Sequence, residues 1–464
     1  MKSVTRLKSI SIKNIKNVKN GSIELPQSID ESGYVKQSDI IGIYGQNGSG
    51  KTAVIESLNI LKILISGEKL PKDTINLISA DAVSADLEYE FYAFIKDKLS
   101  LIKYKVTLEK STVKDDDSDV LKHDFRVIDE EIYSLDLPRE KGKRYKVLGA
   151  FFSTKEISPK NLKDYLISDE DARVEFRVLE NRLQSERRSL IFSKVFLDKL
   201  PKDSFKELAD VLEAMRYYGA MNLTVVENRD SGVINANFLI PLSFRHSNND
   251  KVSHGKIGLY LNQPNEVLVD EYDLIQNVLG QMNIVLSKII PGLTVTTKEL
   301  SRSFNEKSSQ MVKFQLFSKN GDVEIPLRYE SDGIKKIISI LSSFTVVYNN
   351  SNYCLVVDEL DAGIFEYLLG EILEIVSKYG KGQLIFTSHN LRPLEVLNKD
   401  NLVFTTTDKE NNYTKLSNIK VTNNIRNVYM KNVMLGSSNK KDELYNETDS
   451  YEIKKAFKKA GSGK

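Results

Sequence analysis

Gly45-Gln46-Asn47-Gly48-Ser49-Gly50-Lys51-Thr52 decides how this chain is read. The stretch fits the phosphate-binding pattern GxxxxGK[ST] at every specified position. Asp39-Ile40-Ile41-Gly42-Ile43-Tyr44 before it reads as a buried strand, and Ala53 to Leu61 after it as a helix. That is the strand–loop–helix context the pattern requires. The glycines let backbone N–H groups wrap a phosphate, and a helix start favours negative charge. Lys51 is placed to reach β- and γ-phosphates, and the Thr52 hydroxyl to hold Mg²⁺. Gly45, Gln46, Asn47, Gly48, Ser49, Gly50, Lys51 and Thr52 are the expected nucleotide-binding residues.

Three stretches further on belong with this loop. Leu355-Val356-Val357-Asp358-Glu359 is an apolar strand ending in two carboxylates. Alone it is a weak signal, but beside a phosphate loop it is the second signature of a P-loop ATPase. Asp358 is expected to hold Mg²⁺ with Thr52, and Glu359 to orient or deprotonate the attacking water. Gln383 to His389 reads as a buried strand with polar residues at its C-terminal end, the end that faces the ligand in a parallel sheet. His389 is there expected to sense the γ-phosphate. Ser331-Asp332-Gly333 precedes a helical pattern in which Ile334, Ile337, Ile338, Leu341 and Phe344 share one face. Ser331 and Gly333 therefore mark a second helix start able to bind an anion. The catalytic candidates are Glu359, His389 and Lys51, and the metal candidates Thr52 and Asp358.

The whole chain sets bounds. Its 464 residues exceed one typical domain. Apolar content of 41% and charged content of 28% are an ordinary globular balance, and a net charge of +2 speaks neither for nor against nucleic acid. The single cysteine, Cys354, excludes an internal disulfide, and its apolar setting predicts a buried thiol. The four histidines show no zinc spacing. No stretch reaches the length of a membrane span and no apolar leader opens the chain, so a cytoplasmic location without membrane attachment is expected.

Residues 4–25 read as two antiparallel strands with Asn20-Gly21 as the turn. Residues 85–94 and 99–106 alternate as two more, turning at Lys96-Asp97-Lys98. Asp115-Asp116-Asp117 reads as a solvated turn rather than a metal site. From about 155 the texture becomes helical. Asp171 to Arg188 carries Arg173, Arg177, Arg182, Arg187 and Arg188 among glutamates. These arginines are either a nucleic-acid or protein contact, or one face laced by opposite charges. Phe205 to Tyr218 is a further helix with Leu208, Val211, Leu212 and Met215 as its stripe. Residues 402–407 and 413–416 suggest a terminal hairpin, and Asp442 to Gly463 a polar tail around one short, lysine-rich helix. The expected units are 1–154, with the phosphate loop; 155–310, a mostly helical insertion; 311–423, with the remaining motifs; and 424–464, a basic tail.

Taken together, the phosphate loop, Ser331 to Gly333, Asp358-Glu359 and His389 resemble the ABC-type ATPases. They are similar above all to the SMC-like branch, which includes the overcoming-lysogenization-defect nucleases and many ATPase subunits of bacterial anti-phage systems. The resemblance covers 1–65 and 320–395. It implies an α/β, ABC-type P-loop NTPase domain with a mixed or parallel core sheet, an antiparallel N-terminal sheet and a largely helical inserted domain. It implies ATP and Mg²⁺ as cofactors, and a homodimer of head-to-tail nucleotide domains, extending to higher oligomers. In that arrangement Ser331 and Gly333 contact the partner's γ-phosphate, Lys335 lies where relatives carry a basic residue, and Asp361 and Gly363 lie at the seam. The signature at 330–334 is degenerate, no glutamine loop can be chosen between 70 and 110, and no long heptad array is present. No acidic cluster of a nuclease follows His389, so nuclease chemistry is expected in a partner effector, a nuclease or toxin encoded nearby. The function expected is an ATP-hydrolysing oligomeric switch of an anti-phage system. The alternatives are a DNA-binding ATPase of repair or end processing, with DNA as partner, and an ATP-held scaffold that sequesters an effector with little turnover.

Overall fold

The computed structural model describes residues 4–115, 118–138, 142, 144–227, 239–248, 251–406, 408, 410–415, 424–435 and 450–461. Among them a six-stranded sheet carries the apolar stretches singled out above. Its order is Tyr413–Thr414, Leu402–Thr405, Asp39–Tyr44, Gln383–Thr387, Cys354–Val357, Leu223–Val226. All neighbours are parallel except the first pair. The strands from 39 to 44, 354 to 357 and 383 to 387 are buried throughout, as the inner strands of a parallel sheet with covered faces must be. Cys354 is fully buried among them, and burial pushes its thiol up to about 12.

One face is covered by the helix Lys51–Ile65, whose Val54, Ile55, Leu58, Leu61, Leu64 and Ile65 are fully buried. Each such side chain contributes about 1.5–3 kcal/mol by leaving water. Beyond the helix lies a seven-stranded antiparallel sheet containing Val4–Ile15, Val18–Glu24, Ser84–Ile95, Lys98–Asp115 and Ser118–Asp136. The hairpin at 95–98 turns at Lys96 and Asp97, both left-handed, in line with the sequence pattern. The first hairpin corrects its reading. Ile15 pairs with Val18, so the turn is at Lys16 and Asn17, and Asn20 and Gly21 sit inside the strand. Gly21 serves close approach: a Cβ there would overlap the ring of Tyr413. Arg6, 1% exposed, ties this sheet to the N-terminal end of the parallel one. Its Nη2 lies 2.5 Å from Asp39 Oδ2, and its Nη1 donates to the Lys381 carbonyl at 2.7 Å.

The stretch 155–310 divides in two. Helices Lys160–Leu166, Glu170–Ser185, Lys194–Lys199 and Lys206–Tyr217 share the core of the antiparallel sheet and helix Lys51–Ile65. Leu223–Val226 then joins the parallel sheet as its last strand. The second part is rich in strands rather than mostly helical. Among the described residues it holds the hairpin Leu239–Asn248/Lys251–Tyr260, then Asn265–Leu268 and Leu293–Phe304, both paired with Gln310–Asn320, and the helix Val269–Ile289. Helices Asp332–Asn349 and Glu366–Tyr379 share the core on the second face of the parallel sheet, and Val269–Ile289 packs on Asp332–Asn349 and on strand Leu293–Phe304. A four-residue strand leaves too short a pattern to be read locally, since its partner lies over a hundred residues away. Residues 116–117 of the acidic run, and the greater part of the tail outside 424–435 and 450–461, lie outside the described residues. Among the described residues no helix is long and apolar enough to cross a membrane.

Candidate nucleotide site

Parallel strands put their C-terminal ends on one edge, and there the chemistry-bearing residues meet. Tyr44 leads into the phosphate loop, Val357 into Asp358-Glu359, Thr387 into Ser388-His389, and Val226 into Glu227. The phosphate-loop strand and the acid strand are separated by one strand, so their tips lie about 10 Å apart, two strand spacings.

The loop is held open by its neighbours. Gly50 has φ 107°, and a Cβ there would meet Val18 Cγ2 at 2.6 Å. A Cβ at Gly45 would overlap Thr405 Oγ1. Thr405 Oγ1 donates to Ser49 Oγ at 2.6 Å, Tyr413 Oη donates to the Gly50 carbonyl at 2.8 Å, and Asn17 Nδ2 bonds the Gly48 carbonyl. The helix that begins at Lys51 has no side-chain cap and no acid in its first turn, which leaves its amides for an anion. Lys51, 7% exposed, donates to the carbonyls of Gly45 at 2.8 Å and Gln46 at 3.1 Å. Burial pulls its ammonium below the ordinary value, while Asp358, Glu359 and Asp361 push it back up.

At the acid strand, the Asp358 amide donates to the Val226 carbonyl at 2.9 Å. Thr387 joins the two acids: its Oγ1 donates to Asp358 Oδ1 at 2.6 Å and accepts from the Glu359 amide at 2.7 Å. Glu359 itself is left-handed, φ 48°, a strained setting for a side chain of its size. Asp361 Oδ2 accepts from the amides of His389 at 3.1 Å and Asn390 at 3.0 Å. His389 is thereby fixed through its backbone, and its ring is exposed. Thr52 and Asp358 line one cavity of about 190 Å³ with Glu56, Asn59, Asp73 and Glu227. Among the described residues no cluster of three or more His, Cys, Asp or Glu could hold a metal alone. A hydroxyl and a carboxylate at one cavity fit Mg²⁺, which takes one or two protein oxygens and completes its shell from phosphates and water.

Glu227 is the residue that sequence reading missed. It follows the short outer strand, accepts from Asn59 Nδ2, and flanks the site on the side opposite the phosphate loop. Nothing in its local sequence marks it. Ser331 and Gly333 sit elsewhere on the same edge. Ser331 caps the helix Asp332–Asn349 by accepting from the Ile334 amide at 3.3 Å, and Lys335 pairs with Asp332 at 2.9 Å. This helix start is not carried out to the flank of the sheet, as length alone suggests. The helix runs back along the acid strand, so its start lies over that strand's tip, and a Cβ at Gly333 would overlap the carbonyl oxygen of Gly363. The arginines between 173 and 187 are engaged within the chain. Arg173 pairs with Glu170, Arg177 with Glu180, and the buried Arg187 with Asp124.

Among curated proteins none matches the chain in sequence. Solved structures that align with it include the SMC head domain from Thermotoga maritima, at 13% identity, covering 89% of this chain and 99% of that one with a TM-score of 0.36. An Smc head domain from Pyrococcus furiosus with an extended coiled coil aligns at 12% identity over 89% and 96%, TM-score 0.38. The recombination mediator protein RecF with ATP aligns at 12% over 83% and 94%, TM-score 0.34. The family described as "AAA domain, putative AbiEii toxin, Type IV TA system" matches residues 40–395. With its phosphate loop and strand acids on one edge of a parallel sheet, the chain belongs to this AAA-domain family.

Proposed function

We propose that the chain is an ATP-hydrolysing switch that works as a homo-oligomer, the ATPase subunit of a prokaryotic anti-phage system controlling a partner effector. The observation that carries the ATPase part is the edge on which Lys51, Thr52, Asp358 and Glu359 converge. There is little covalent work for such a site to do; positioning and electrostatics supply the rate. The amides of 45–52 and Lys51 hold the phosphates, and the uncapped helix start adds its positive end. Thr52 and Asp358 would hold Mg²⁺, which would neutralise charge on the phosphates. Glu359, its backbone fixed by Thr387, accepts a proton from the attacking water. His389 stands at the neighbouring strand tip as γ-phosphate sensor. Ser331 and Gly333, at an exposed helix start on the same edge, serve a partner subunit's ATP. The family description supports the defence reading, because it ties the domain to toxin systems. The internal pairing of Arg173, Arg177 and Arg187 accounts structurally for the charges that suggested DNA.

Steady-state hydrolysis by wild type and Glu359→Gln tests this reading. The variant is expected to lose about 100-fold or more in kcat, the range of a general base, and to accumulate as an ATP-bound dimer on gel filtration. Equal turnover by both proteins would remove Glu359 from the chemistry.

A further inference from the structure

The start of helix Asp332–Asn349 reaches Glu359 of its own subunit. Lys336 is 4% exposed, and its Nζ donates to the carbonyl oxygen of Glu359 at 2.6 Å. The peptide on the other side of Glu359 is held too, its N–H donating to Thr387 Oγ1 at 2.7 Å. Between these two anchors the residue keeps φ 48°, a conformation that side chains other than those of Asn, Asp and His seldom adopt. Such a backbone persists where its surroundings over-determine it. Burial pulls the Lys336 ammonium below its ordinary value, and Asp361, Glu359 and Asp358 push it back up. The same helix start is packed on the turn that comes after the acids, since no room for a Cβ exists between Gly333 and the Gly363 carbonyl. Helix start, post-acid turn and the Glu359 peptide are therefore joined by direct contacts.

We propose that Lys336 is a positioning residue for hydrolysis: by holding the Glu359 carbonyl it aims the Glu359 carboxylate at the attacking water and ties that aim to the place of the Ser331–Gly333 helix start. This rests on the reading of Glu359 as the proton acceptor and of Ser331 and Gly333 as contacts to the partner's nucleotide. Drawing the helix start toward a partner's γ-phosphate pulls on the Glu359 peptide through one buried bond, so engagement of one site raises the rate in the other without being required for it. Misplacement of a catalytic group by about 1 Å costs on the order of 100-fold in rate, so a single anchor of this kind suffices.

The experiment compares Lys336→Met, which keeps the stem and removes the donor, with Lys336→Arg, which keeps a donor, and with Glu359→Gln, all as full-length proteins. Read-outs are kcat, KM for ATP, and dimer formation with a non-hydrolysable ATP analogue. K336M is expected to lose about 100-fold in kcat with KM and analogue-driven dimerisation within about threefold, and K336R to recover at least about a tenth of the wild-type rate. Adding K336M to Glu359→Gln is expected to cost nothing further, because the two act as one unit. If K336M does not fold, Lys336→Gln replaces it under the same split. Wild-type kcat in K336M beside an inactive Glu359→Gln would overturn the inference alone. An active Glu359→Gln would overturn the reading beneath it. Parallel loss of kcat, KM and dimerisation in K336M, with no recovery in K336R, would show a packing lysine and overturn the inference as well.

Discussion

Two helices of this molecule begin on the same edge of the parallel sheet, and they begin differently. Helix Lys51–Ile65 starts after a left-handed glycine, with no side-chain cap and no acid in its first turn. Helix Asp332–Asn349 starts after Ser331, whose hydroxyl accepts from the Ile334 amide, and carries Asp332 in its first turn. The first start leaves its amide donors for a ligand, and in the meantime Lys51 turns onto the loop's own carbonyls. The second is satisfied by its own chain through a long bond of 3.3 Å. A capping hydroxyl is worth about 1 kcal/mol, which a charge-assisted bond to phosphate readily exceeds. Under the proposed function, the difference makes one start the resident phosphate site and the other a conditional one, filled when a partner's nucleotide is brought to it.

Three substitutions sharpen or break that contrast, in order of effect. Lys51→Ala removes the buried cation of the first start. Truncating one member of a desolvated charged pair costs about 2–5 kcal/mol, so ATP affinity is expected to fall at least about 30-fold, measured by titration with a fluorescent ATP analogue; unchanged affinity would deny the first start its role. Gly50→Ala places a Cβ at φ 107° against Val18 Cγ2. It is expected to cost about 1–3 kcal/mol of backbone strain, read as a lower melting temperature together with weaker nucleotide binding. Ser331→Ala removes only the cap. It is expected to lower stability by about 1 kcal/mol in urea unfolding, and to leave binding of ATP by the isolated subunit unchanged. A binding defect in Ser331→Ala comparable to that of Lys51→Ala would erase the distinction between the two starts.

The sequence displays whatever is carried by consecutive residues. The phosphate loop, the strand acids, the 95–98 turn and the stripe Leu208, Val211, Leu212 and Met215 are all local patterns, and the fold keeps each of them. Features that depend on pairing across long separations cannot be read locally. Glu227 acquires its place only because Leu223–Val226 lies beside Cys354–Val357. Tyr413 reaches the phosphate loop from the terminal hairpin and Asn17 from the turn of the first, both distant from the loop in sequence. Gly21 resembles a turn residue because glycine serves both turns and close contacts, and the ring of Tyr413 decides between them. Chain length misleads about the position of Ser331 and Gly333. A helix antiparallel to the strand after it returns its start to that strand's tip, whatever the number of residues between.

If the conditional start of one subunit completes the resident site of another, two inactive variants should rescue each other, and mixing them is the most direct test. Ser331→Arg keeps its phosphate loop and blocks its conditional start; Lys51→Ala does the reverse. Each alone is expected to be inactive in hydrolysis. After subunit exchange at equal amounts, about half of the dimers are mixed and each holds one intact composite site, so up to about a quarter of the wild-type ATPase rate should return, less whatever the coupling through Lys336 takes away. An inactive mixture whose exchange is verified, or a Ser331→Arg protein that hydrolyses ATP normally by itself, would contradict site sharing between subunits.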